Sequence, residues 1–91
     1  MKTIELNWSI KDLTETEIPN AEANKLLANT LISEKKGDAV KLFDWALTLT
    51  KEGVITVDES DFNKIKDIIE NSDTLAILSK AQFLKYFATL K

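Results

Sequence analysis

The chain contains no cysteine. Its 91 residues must therefore fold without a disulfide or a thiolate-held metal, on an apolar core alone or on one completed by a partner chain. That length predicts one compact domain, residues 1–91, near the small end of self-sufficient folding units. Apolar residues make up 44% of the chain and charged residues 30%, a balance that argues against disorder.

Histidine and arginine are absent as well, so all twelve basic side chains are lysines. The neutral-pH proton shuttle, the thiolate nucleophile and the bidentate phosphate fork are thereby removed. Lysines, carboxylates, hydroxyls and a single tyrosine, Tyr86, are what remains for chemistry. Fifteen acids lie interspersed among the lysines and leave a net charge of −3. No basic face gathers, which argues against a nucleic-acid partner. No apolar run approaches the roughly eighteen residues of a membrane span, so no membrane partner is expected. Met1–Ile10 carries one early lysine and then alternates, unlike a signal segment. The cysteine-free composition suits a cytoplasmic chain.

Strict alternation of Ile4, Leu6, Trp8 and Ile10 with polar neighbours predicts a strand, and a hairpin from Lys2 to Ile18 through the acidic turn that follows. Pro19-Asn20 punctuates, with Asn20 as helix cap. Ala23, Leu26, Leu27, Thr30 and Leu31 then predict an amphipathic helix over 21–35, ending at Gly37. Asp38 caps a second helix with a wide apolar stripe of Ala39, Leu42, Phe43, Ala46, Leu47 and Leu49, and Gly53 ends it. Val54–Val57 reads as a short strand able to join the N-terminal one. Asp58, with Asp61 at the third helical position, caps a third helix faced by Phe62, Ile65, Ile68 and Ile69. Asn71-Ser72-Asp73 breaks it, and a fourth helix runs over 75–90. The expected fold is α+β and mainly helical: a small antiparallel β-element, the N-terminal hairpin plus a short strand near 54–57, packed on about four helices.

Residues 48–59 match an EF-hand loop at three positions, with Gly53 at the sixth, Ile55 at the eighth and Glu59 at the twelfth. The early ligand positions hold Thr48, Thr50 and Glu52, and two threonines supply too little charge for a hard cation. The bland alternative makes Gly53 a helix stop, Ile55 a strand residue and Glu59 a first-turn acid. Asp58, Glu59 and Asp61 suit the positive end of a helix, and Asp12, Glu15 and Glu17 suit a solvated turn. Lys80 and Lys85 lie within an apolar helix, where such side chains ordinarily cover the core edge and keep their charge in water. No catalytic residue, metal ligand or cofactor is assigned.

The fourth helix carries more apolar surface than one face requires. Ile77, Ala81, Leu84 and Ala88 form one stripe, and Phe83, Phe87 and Leu90 form another beside it. Such a helix is either central to the fold or shared with another chain. The second stripe, with Trp8 or Trp45 as anchors, is the partner-binding surface expected from the sequence, for a protein partner or a homodimer.

Asn24-Lys-Leu-Leu-Ala-Asn-Thr-Leu31, Gly37-Asp38, Lys41-Leu-Phe-Asp-Trp-Ala-Leu47, Gly53-Val-Ile55, Asp61, Ile69-Glu-Asn-Ser-Asp73 and Lys80-Ala-Gln82 together resemble small proteins of unknown function encoded in phages and prophages. The resemblance implies an accessory or assembly factor that works through contacts, with no catalytic residue to carry over. Two further readings follow from the residues. One is a degenerate EF-hand-like, metal-responsive module using Glu52 and Glu59. The other is a transcriptional regulator acting through protein contacts, because the second and third helices enclose a strand and carry no arginine to read guanine.

Overall fold

The alternating N-terminal residues do form strand, but in two pieces that find different partners. The computed structural model describes residues 1–90. In chain order it comprises β1 (Lys2–Glu5), β2 (Ser9–Lys11), β3 (Glu17–Glu22), α1 (Ala23–Ile32), α2 (Ala39–Glu52), β4 (Val54–Val57), α3 (Glu59–Glu70) and α4 (Ile77–Ala88). This is a mainly helical α+β fold with two small antiparallel sheets, β1–β4 and β2–β3.

The expected hairpin from Lys2 to Ile18 is thus corrected to a shorter one, β2–β3. β1 pairs instead with β4, matching Ile4 to Ile55 and Thr3 to Thr56. The reason is cross-strand packing. Ile55 and Val57 offer β-branched partners for the buried face, whereas β3 offers only half-buried Ile18 and Ala21. Between β2 and β3 the register shifts, so that two steps along β2 answer to five along β3. Asn20 takes a left-handed conformation (φ +62°) in this irregular strand, which asparagine tolerates.

Asn20 therefore does not cap α1. The Ala23 N–H donates to the Trp8 carbonyl at 2.8 Å, and sheet pairing carries the chain to Glu22 before the helix starts. At the other end α1 stops at Ile32, well before Gly37. Ser33 follows it, its hydroxyl donating to the Asn29 carbonyl at 2.6 Å.

Capping of α2 and α3 matches the sequence, whereas α4 runs over Ile77–Ala88 rather than 75–90, with Ala76 at its N-cap and no side-chain cap. Asp38 accepts from the Lys41 N–H at 3.1 Å, and Asp58 accepts from the Asp61 N–H at 2.7 Å. Gly53 ends α2 in the left-handed region (φ +74°). A Cβ there would also collide with the Asn7 side-chain amide.

α1 and α2 pack as a helical hairpin, with Leu27 and Leu31 against Leu42, Ala46 and Leu49 in the core. Asn24 ties the start of α1 to the end of α2, its amide donating to the Leu49 carbonyl at 2.9 Å. α4 lies between α3 and the N-terminal strands, and its polar side chains complete their backbone pairing. The Tyr86 hydroxyl accepts from the Glu5 N–H at 2.8 Å. The Gln82 amide accepts from the Lys11 N–H (2.9 Å) and donates to the Lys11 carbonyl (2.7 Å). α4 is therefore covered on two sides, with the rest of its surface exposed.

Candidate functional site

The surface expected from the sequence is mostly interior. Phe83 and Phe87 are buried, which corrects their assignment as presented partner-binding residues. Trp8, half-buried, tilts against Phe83 at 5.7 Å and against Tyr86 at 5.6 Å between ring centroids, while Phe87 meets Phe62 at 5.1 Å. These rings form one cluster joining the segment between β1 and β2 to α3 and α4. Leu90 is half-buried against the same core, and its carbonyl accepts from the Lys2 ammonium at 3.2 Å. Of the first stripe of α4, Ile77, Ala81 and Ala88 face outward and Leu84 is half-buried against the core, while the aromatic stripe points in. Aromatic rings remove more apolar area from water than alanines do, so the core takes that stripe.

Trp45 sits apart from this cluster. It is half-buried at the wall of a groove of about 330 Å³ between α2 and α3, with Leu42 and Ile68. The Lys41 ammonium lies 5.7 Å from its ring centre and is held by both carboxylate oxygens of Asp61, at 3.1 and 3.0 Å. That hydrogen-bonded carboxylate raises the Lys41 pKa, so the lysine stays charged and committed to its ion pair. Lys80 is similarly employed, donating to the Glu70 and Ser72 carbonyls at 3.2 and 2.9 Å and closing the end of α3.

Backbone geometry separates residues 48–59 from an EF-hand loop. Thr48, Thr50 and Glu52 lie inside α2, where the Thr50 hydroxyl donates to the Ala46 carbonyl at 2.9 Å. Glu59 opens α3, its carboxylate 3.6 Å from the Lys2 ammonium. The first five positions of the segment are helix, so it does not form a twelve-residue loop. Among the described residues, no three side chains of metal-ligating type converge.

The face that stands out is on α1 and α2. Val40, Phe43 and Leu47 are 71, 57 and 41% exposed, and Ile32 at the end of α1 is 56% exposed. On α2 the spacing of three and four puts Val40, Phe43 and Leu47 along one ridge. Ile32, Phe43 and Leu47 border a shallow groove of about 150 Å³ floored by Ala28 and Ala46. Isolated exposed apolar residues are ordinary, but a cluster across two packed helices is not.

The width of the α2 stripe was the signal for this face. Leu42, Ala46 and Leu49 already complete a buried side, which leaves Phe43 and Leu47 outside it. Ile32 gave no signal, because the periodic pattern of α1 runs past it. Comparison with protein-family models, curated proteins and solved structures finds no match to this chain.

Proposed function

We propose that this chain is a non-enzymatic protein–protein interaction or assembly module that docks its partner on the α1–α2 face around Phe43 and Leu47. The observation carrying the proposal is the exposed apolar cluster of Ile32, Val40, Phe43 and Leu47. An apolar surface of this kind, bordered by polar residues such as Asn29 and Thr50, is what partner association buries. Supporting it from the other side, Lys80, one of the two lysines in the apolar helix, is tied to the end of α3, and Lys41 is held by Asp61.

The cytoplasmic phage or prophage setting implied by the resemblance belongs to the same proposal. Two matched baits test the reading in the native host after prophage induction: the native chain and Phe43→Asp/Leu47→Asp. Circular dichroism first establishes that both are folded. A protein retained by the first bait and lost from the second supports the docking face, and identical captures reject it.

A further inference from the structure

Beyond the α1–α2 face, we infer that the outer edge of β4 takes up an extended segment of a partner protein, basic at its ends, as an added strand. The Leu6 N–H donates to the Gly53 carbonyl, while the Glu5 N–H and carbonyl turn outward to Tyr86 and Trp8. Alternation along the antiparallel β1–β4 ladder then points the N–H and C=O groups of Ile55 and Val57 at β1, and those of Val54 and Thr56 away from it. Among the described residues, none hydrogen-bonds to these four outward groups. Thr56 is exposed, and its side chain bonds only to Thr3, back across the sheet.

The other strand edges are guarded. Tyr86 and Trp8 occupy Glu5 on β1, Gln82 takes both backbone groups of Lys11 on β2, and β3 carries Pro19 and the left-handed Asn20. β4, Val-Ile-Thr-Val, keeps an unbroken register and has no charge, proline or bulge of its own. Its four outward groups specify the backbone of the occupant: an extended chain whose residues opposite Val54 and Thr56 exchange two hydrogen bonds each. The surroundings specify its charge. Glu52 precedes β4, Asp58 follows it and Glu5 stands beside Val54, all three exposed. Glu59 is cancelled by Lys2, which leaves these acids against Lys51 alone. A second copy fits badly, because antiparallel pairing of two β4 strands about Ile55 brings the Glu52 end of each to the Asp58 end of the other. A strand with basic residues at its ends meets both acids instead.

Amide hydrogen exchange read by NMR on the full chain tests this, with the peptide Lys-Val-Thr-Val-Thr-Lys as probe and Glu-Val-Thr-Val-Thr-Glu as control. In the free chain the Ile55 and Val57 amides are expected to be protected, and the Val54 and Thr56 amides to exchange freely. The lysine-ended peptide, at about four times its Kd in the millimolar range, slows exchange at Val54 and Thr56 about fivefold, and the glutamate-ended peptide does not. Glu52→Gln/Asp58→Asn, which keeps a capping side chain on α3, weakens binding about fivefold. Thr56→Pro removes one outward N–H without touching the ladder to β1 and abolishes binding, its fold checked by circular dichroism. Val54 and Thr56 amides already protected in the free chain would show the edge to be covered and overturn the inference. No protection at millimolar lysine-ended peptide overturns it, as does equal binding of the two peptides. Protection that rises with protein concentration alone also overturns it, by giving the edge to a second copy. The α1–α2 face is decided separately by the bait comparison.

Discussion

Gly53 connects three elements through one residue. Its positive φ ends α2, its carbonyl accepts from the Leu6 N–H at 2.7 Å, and β4 begins at the next position. Gly53→Ala should cost about 1–2 kcal/mol from the left-handed backbone alone. Collision with Asn7 adds to this. Urea denaturation of Gly53→Ala and of Asn7→Ser/Gly53→Ala separates the two, since the double variant relieves the collision and keeps the backbone cost. The hairpin tip offers a second residue-scale test. The Asp12 carboxylate accepts from the Thr14 hydroxyl at 2.6 Å and from the Thr14 and Thr16 N–H groups, which holds its pKa below the ordinary carboxylate value. A lowered carboxylate pKa means that the turn contacts are present above the ordinary value and are lost as pH falls through the lowered one. A carbon-detected NMR titration should place the Asp12 midpoint below the usual range, and Thr14→Ala should move it back up.

At the scale of elements, the two apolar edges of α2 and the two stripes of α4 divide burial differently. Phe83 is fully buried, so Phe83→Ala should cost about 3–5 kcal/mol. Phe43 is largely exposed, and Phe43→Ser should change stability by no more than about 0.5 kcal/mol. Thermal and urea unfolding of the two variants checks both, and a large loss in Phe43→Ser would show that the α2 ridge is part of the core. Helix ends were legible where the deciding groups lie within one turn. The caps at Asp38 and Asp58 and the stop at Gly53 fall where local hydrogen bonding and backbone freedom place them. The start of α1 was not legible, because a carbonyl on Trp8, fifteen positions away, takes the N–H that a cap would have taken. The inward stripe of α4 was not legible either. Two apolar faces on one helix look alike along the chain, and the choice between them depends on Trp8 and Phe62.

Across the whole molecule, the helix–glycine–strand–helix segment that resembles an EF-hand serves the fold. Its strand β4 closes a sheet with β1, Asp58 caps α3 and Glu59 pairs with Lys2. The melting temperature should accordingly be the same in calcium as in chelator, and a rise of several degrees with calcium would restore the metal-responsive reading. The candidate site was half legible: the excess width of the α2 stripe is written in six apolar positions, but the exposure of Phe43 and Leu47 is a property of what α1 and α3 leave uncovered. The sequence by itself determined the element types, the mainly helical class and the helix ends at Asp38, Gly53 and Asp58, because propensity, periodicity and capping act within a few residues. Strand partners, the buried face of α4 and the apolar ridge left in water were decided only by the tertiary structure. Each depends on which surfaces meet across long stretches of chain, and an apolar side chain carries no local mark of whether another will cover it.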